Sequence, residues 1–287
     1  MKKALLTVLP WAVGLACLWY VLRSFSWVEI GRLLGGADLS TALLGSTAGL
    51  VAYYFLRTAR WHLLLREAGT PTPFARVFEA TAFSVGVAIL TPASAAEALK
   101  VEMLKRKLLT DRASGYSSFV AEHILDGVVL ALFGLAGVQQ AGLFRGSWVS
   151  EVLLAAGVLG AIALAALMRA RGYRLRAPVI AVTVLGWLAI ATGWHLCFRA
   201  LAIDVSFAGT LTVLALSTIL SVLTLVPGGI GVSEVSITAL LQLLGVEAAR
   251  AQAGSIIIRA FGLWALVLGL ALWAAARYVG KVPKTSS

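Results

Sequence analysis

Residues 225–234 read LVPGGIGVSE. Apolar chain runs up to this stretch (AGTLTVLALSTILSVLTLV) and resumes within it (VSITALLQLLGV). A proline, three glycines and a carboxylate interrupt a run that otherwise reads as membrane-embedded. Pro227 stops a helix, because it lacks an N–H and its ring clashes with the preceding turn. Gly228, Gly229 and Gly231 permit backbone angles and close approaches denied to other residues. Gly231 stands where a following helix would be capped, with Glu234 three residues on, the capping-box spacing. Irregular backbone at membrane depth must be buried in protein or line a wet cavity. Two readings follow. The new helix can aim its N–H groups and partial positive charge at a phosphate or carboxylate. Alternatively, the break is a kinked packing helix whose glycines admit close neighbours.

The surrounding chain has the same character. Of 287 residues, 60% are hydrophobic and 13% charged, against about 25% charged in a soluble domain. Runs long enough to cross a ~30 Å hydrocarbon core fall at 4–22, 40–56, 113–137, 149–168, 177–196 and 255–276. The expected fold is an all-α polytopic membrane protein, a single integral membrane domain over 1–287 with about six full transmembrane helices. A membrane β-barrel would show alternating segments of ~10 residues instead. No hydrophilic stretch is long enough for a soluble catalytic domain. Lys2 and Lys3 precede the first run, which lacks an A-x-A cleavage site and reads as an uncleaved first helix. Cys17 and Cys197 fall in apolar spans and read as small core residues.

A second interruption, TPASAAE at 91–97, lies inside segment 77–104. The apolar piece before it, VFEATAFSVGVAILT, carries Glu79 and rises only about 22 Å as a helix, short of a full crossing. Ser94 with Glu97 three residues on repeats the capping-box spacing. The two broken segments, 77–104 and 207–245, are therefore expected to be re-entrant hairpins entering from opposite faces. Residues of about 40–137 and 177–276 read as possible inverted-topology repeats, an arrangement that places substrate at the midplane between broken helices.

The formal net charge is +11, and its distribution matters more than its size. With the N-terminus in the cytoplasm, eighteen Lys and Arg residues fall on the cytoplasmic side and five outside, with Arg259 inside the last span. That split follows the positive-inside rule and places both termini in the cytoplasm of a bacterial-type inner membrane. The residual charge also suits anionic inner-leaflet headgroups. No basic–aromatic domain stands clear of the bilayer, so nucleic acid is not expected as a partner.

Ionisable residues within spans cost about 2.5–3.5 kcal/mol each on insertion scales, so they must pair or line water. Glu79, Glu97, Glu122, His123, Asp126, His195, Glu234 and Arg259 are such residues. Glu122 and Asp126 share a helix face four apart and call for a cation between them; Lys100 and Arg57 are candidates. Arg259 can neutralise Glu234 or hold a phosphate. Glu97 and Glu234 can also serve only as caps. The candidate headgroup site is Arg57, Arg60, Glu97, Lys100, Glu122, Asp126, Gly228, Gly229, Gly231, Glu234 and Arg259. E-H-x2-D at 122–126 does not put its ligands on one face, so no metal is expected. No nucleophile-elbow, zincin or Walker pattern appears, and neither a catalytic residue nor a cofactor is expected.

PGGIGVSE at 227–234, G-V at 245–246 and the span bearing Arg259 resemble the transmembrane region of lysylphosphatidylglycerol synthases. R-x2-R-W at 57–61, P-x4-E-x2-K at 92–100 and E-x3-D at 122–126 agree with it. Where the family commonly has P-G-R-x-G-E-x2-R, this chain has Ala93, Ser94, Ala96 and Lys100 at the second, third, fifth and last positions. The resemblance implies a lipid-handling protein, since in the fused enzymes this region is associated with moving the aminoacylated lipid to the outer leaflet. Their aminoacyl-transferase domain has no counterpart in these residues, so lipid aminoacylation is not expected of them. The expected function is lipid binding with flipping of a phospholipid or lipid-linked headgroup. The alternative is a membrane accessory subunit for a lipid- or glycan-modifying enzyme, which would then be its partner.

Overall fold

The computed structural model describes residues 2–91, 95–105, 112–140, 148–170 and 176–279. They form α1 (Lys2–Ser24), α2 (Trp27–Gly35), α3 (Leu39–Glu67), α4 (Phe74–Ala88), a 3-10 turn (Ala95–Ala98) and α5 (Leu99–Lys105). The chain continues through α6 (Arg112–Gln140), α7 (Trp148–Ala170), α8 (Ala177–Ala200), α9 (Phe207–Thr224), α10 (Val232–Leu243) and α11 (Ala248–Val279). The protein is an all-helical, multi-pass membrane protein. Among the described residues, α3, α6, α8, α9 and α11 are long and apolar enough to cross a membrane. The bent pair Leu9–Ser24 and Trp27–Gly35, at 78° to each other, would make a sixth span.

Each of the six expected spans lies on a helix. The second extends to Glu67 rather than residue 56, because Arg57 and Arg60 are held by carboxylates and do not end it in water. Between the first two spans, residues 27–35 form α2, which buries Ile30; at its N-cap, Ser26 N donates to Gln252 Oε1 at 2.9 Å.

Glycine stripes set the main helix crossings. α3 and α8 run antiparallel, and Asp38 N donates to Ala200 O at 3.0 Å where their ends meet. A Cβ added to Gly49 would lie 2.7 Å from Ala189 O and 3.4 Å from Gly193 Cα, so only glycine permits this approach. α4 and α11 cross just as closely, with Gly86 against Gly269. Tyr54 on α3 donates to Ala265 O on α11 at 2.7 Å, tying the two pairs together. The other prominent contacts are α6 with α7 and with α9, and α10 with α9 and α11.

Both interruptions break the helix. α4 stops at Ala88, and Pro92 to Ser94, including the expected Ser94 cap, lie outside the described residues. Glu97 sits in the 3-10 turn. α9 ends at Leu225 in the left-handed region (φ 54). Gly228, Gly229 and Gly231 then take φ of 59, 60 and 81, angles that strain a residue with a Cβ. α10 has 12 residues and rises about 18 Å, less than a crossing. The two broken ends touch, with Gly228 N donating to Thr91 O at 3.4 Å. α1 lies over the second break, with Gly14 against Val226 and Cys17 against Gly231.

Candidate functional site

The structure sorts the candidate residues into two groups on either side of a cavity. The first group joins α3, the 3-10 turn, α5 and α6. Arg60 lies between the two α6 carboxylates: its Nε donates to Glu122 at 3.1 Å, and its two terminal nitrogens reach Asp126 at 2.5 and 3.0 Å. Lys100 pairs with the other oxygen of Glu122. Arg57 pairs with Glu97 and stands 3.6 Å from Asp126. The sequence calls for a cation between Glu122 and Asp126; Arg60 fills that place, while Lys100 and Arg57 hold its flanks.

All six side chains are buried, and Lys100 and Glu122 are 0% exposed. Cationic and carboxylate side chains are equal in number, so the group is charge-balanced. Arg57, Arg60 and Lys100, counted in the sequence as loop charges, are bundle residues. Lys100 also sits 4.7 Å from the centre of the Trp61 ring, a cation–π distance.

Two partners of this network were not foreseen. Trp187 on α8 donates its indole N–H to Asp126 at 2.8 Å, and Arg57 donates to the Tyr53 hydroxyl. A buried tryptophan needs an acceptor. Trp187 offered no specific sign of a buried anion, since Trp61 and Trp264 donate to the neutral hydroxyls of Ser118 and Thr47.

The second group is built on the break at 225–231. Gly231 N donates to Glu234 Oε2 at 2.8 Å, the backward half of a capping box. The other oxygen of Glu234 is taken by Arg259 Nε. Arg259 then reaches the break itself, donating to Gly228 O at 2.8 Å and Gly229 O at 3.2 Å. One guanidinium thus neutralises the capping carboxylate and binds two carbonyls of the break, those of Gly228 and Gly229. Ser233 N and Val235 N bond to Gly229 O and Gly231 O, so part of the α10 N-terminus is satisfied within the break.

Between the groups lies a cavity of about 300 Å³. Glu97 lines it from the first group, and Gly228, Gly229, Glu234 and Arg259 line it from the second. Tyr53, Trp187 and Trp194 supply aromatic wall; Ser217, Ser221, Ser233 and Ser255 supply hydroxyls. The remaining candidates, Arg57, Arg60, Lys100, Glu122, Asp126 and Gly231, are not on its wall. Leu50, Ile89, Ile190, Leu214, Ile258 and Phe261 make the rest of its lining largely apolar, and its volume is at the lower end of small-molecule sites, about 300 Å³.

The family model for the lysylphosphatidylglycerol synthase TM region matches residues 7–180 and 176–269. The chain is also similar to a UPF0104 membrane protein of Methanothermobacter thermautotrophicus, with 26% identity over 104 residues. That match takes in 36% of this chain and 31% of the relative.

Proposed function

The chain belongs to the lysylphosphatidylglycerol synthase TM region family, and from that premise we propose that it binds a phospholipid or lipid-linked headgroup and moves it across the cytoplasmic membrane. One observation carries the reading: the cavity of about 300 Å³ lies where the two helix breaks meet, with ionisable side chains on both walls. The headgroup enters this cavity at its polar groups while its acyl chains stay in the bilayer. Gly228, Gly229, Glu234, Arg259 and Glu97 contact it. Arg57, Arg60, Lys100, Glu122 and Asp126 hold Glu97 and the inner wall in place, and Gly231 sets the start of α10.

The packing pattern supports two inverted halves, about 40–137 and 177–276. Exchanging α3 with α8, α4 with α9, α5 with α10 and α6 with α11 carries the contact of α4 with α11 onto that of α9 with α6. The same exchange carries α10 with α11 onto α5 with α6. In this arrangement the breaks enter from opposite faces, and rocking one half against the other exposes the cavity alternately.

The test is lipid identification. Protein purified in mild detergent is analysed by mass spectrometry beside a Glu234→Ala, Arg259→Ala double variant. A phosphate-bearing lipid enriched in the wild type and lost in the variant is the expected result. Bulk lipids in natural proportion from both proteins would move the reading to an accessory subunit.

A further inference from the structure

Glu97 is one half of a pair that spans the wall of the cavity. The other half is His123, whose Nε2 lies 3.9 Å from Glu97 Oε2. His123 faces a different space, an open groove of about 500 Å³ that it lines with Ala95, Ala98, Phe119, Val120 and Ile124. The His123 side chain is 34% exposed, that of Glu97 6%. An imidazole in an open groove thus stands beside a buried carboxylate on the cavity wall.

The local bonding fixes which ring atom acts. His123 Nδ1 is 3.0 Å from Phe119 O. A carbonyl only accepts, so Nδ1 carries a hydrogen in either state and Nε2 is the atom that gains or loses the proton. The Phe119 ring, 4.2 Å away centre to centre, holds the imidazole in this orientation.

The charges around the pair are balanced. Arg57 and Arg60 come from α3, Lys100 from α5, and Glu122 and Asp126 from α6. α8 contributes the Trp187 indole N–H to Asp126. Across the cavity, Glu234 and Arg259 neutralise each other. One added proton therefore leaves one uncompensated positive charge beside the cavity, a costly state in a buried site. A phosphodiester monoanion in the cavity offsets it.

Building on the translocation reading above, we propose that His123 and Glu97 form a proton site through which one proton enters together with one anionic, phosphate-bearing headgroup. A hydronium ion admitted to the groove gives its proton to His123 Nε2, forming an N–H bond and leaving water. That bond breaks as the proton passes to Glu97 Oε2, leaving a neutral imidazole and a neutral carboxyl. Arg57, released by Glu97, turns to Asp126, already 3.6 Å away. No oxidant or further reactant is needed.

The experiment uses the full chain in vesicles containing NBD-labelled phosphatidylglycerol or, for comparison, NBD-labelled phosphatidylcholine. Translocation is read by dithionite quenching, with and without an imposed pH gradient. The gradient should raise the phosphatidylglycerol rate several-fold in the wild type and leave phosphatidylcholine unchanged. In His123→Gln the ratio of the two phosphatidylglycerol rates should fall to one. Phosphatidylglycerol movement indifferent to the gradient in the wild type overturns the coupling and leaves the translocation reading standing. If neither lipid moves, the translocation reading fails and the proton site is decided by imidazole ¹⁵N NMR. Across an acid titration the His123 Nε2 signal of the wild type should differ from that of Glu97→Gln, whose amide cannot take up the proton. His62 and His195 report whether the variant is folded. Identical His123 spectra in the two proteins overturn the site.

Discussion

At Arg60 a single guanidinium holds two carboxylates that stand four residues apart on α6. Removing it leaves both facing each other in a dry interior. Arg60→Gln should therefore lower stability by about 3–5 kcal/mol, the usual cost of breaking a buried ion pair from one side. Thermal unfolding in detergent measures it, and adding Asp126→Asn should recover part of the loss, as coupled neighbours do. The need for a cation at this point was legible from the 122–126 spacing alone. Its identity was not, because Arg57 and Arg60 lie three apart on one face of α3 and sequence does not say which reaches α6.

A second residue is readable at the opposite end of the same helix. Asp38 accepts from Thr41 N at 3.1 Å and from the Ser40 and Thr41 hydroxyls, and these bonds, the Ser40 hydroxyl first, hold its carboxyl down to about 2. A carboxylate held below its unfolded value of about 3.9 stabilises the fold above that pH. The contribution is lost as pH falls through about 2. Asp38→Asn should therefore leave the acid limb of stability flatter between about pH 4 and pH 2, measured by denaturation across that window.

Among the elements, the α3–α8 crossing depends on absent side chains. Gly49→Leu should destabilise the protein by about 1–3 kcal/mol, as overpacking does, and Gly31→Leu, with nothing within 4 Å of its Cβ, serves as the control. Gly228→Ala acts differently. Its φ of +59 strains any Cβ, and that Cβ would collide with Ile89 O, pushing the two broken ends apart. Lipid retention should fall more steeply than melting temperature. The break at 225–231 was plain in the sequence because proline and clustered glycine have few uses inside an apolar run. α2 escaped notice: its nine residues include Glu29 and Arg32, and so short an amphipathic stretch resembles a charged loop. The 3-10 turn at Glu97 was also hidden, since S-x-x-E spacing suits either helix type.

At the scale of the whole molecule, orientation is the open quantity with a direct readout. With Cys17 and Cys197 replaced, Asp204→Cys should react with an impermeant maleimide from outside the cell, and Ala75→Cys only after permeabilisation. Both positions are exposed, so reactivity reports the side of the membrane. The reverse pattern would invert the topology. The membrane class and helix number were legible because apolar length is a one-dimensional property. The cavity was not, because it is made by residues more than a hundred positions apart, such as Glu97 and Arg259.

The buried network also sets a timetable for biogenesis. Arg60 and its partner Glu122 are 62 positions apart, so at about 5–20 residues per second a ribosome takes roughly 3–12 s to supply the second after the first. During that interval α3 holds two guanidiniums without the α6 carboxylates, each costing about 2.5–3.5 kcal/mol at mid-membrane. The nascent helix therefore waits at the insertase or shallow in the inner leaflet, its arginines reaching toward headgroups. It seats fully only when α6 emerges. With Cys17 replaced, Leu56→Cys should accordingly react with a maleimide from the cytoplasmic side in a ribosome-stalled chain ending before α6, and be protected in one ending after it.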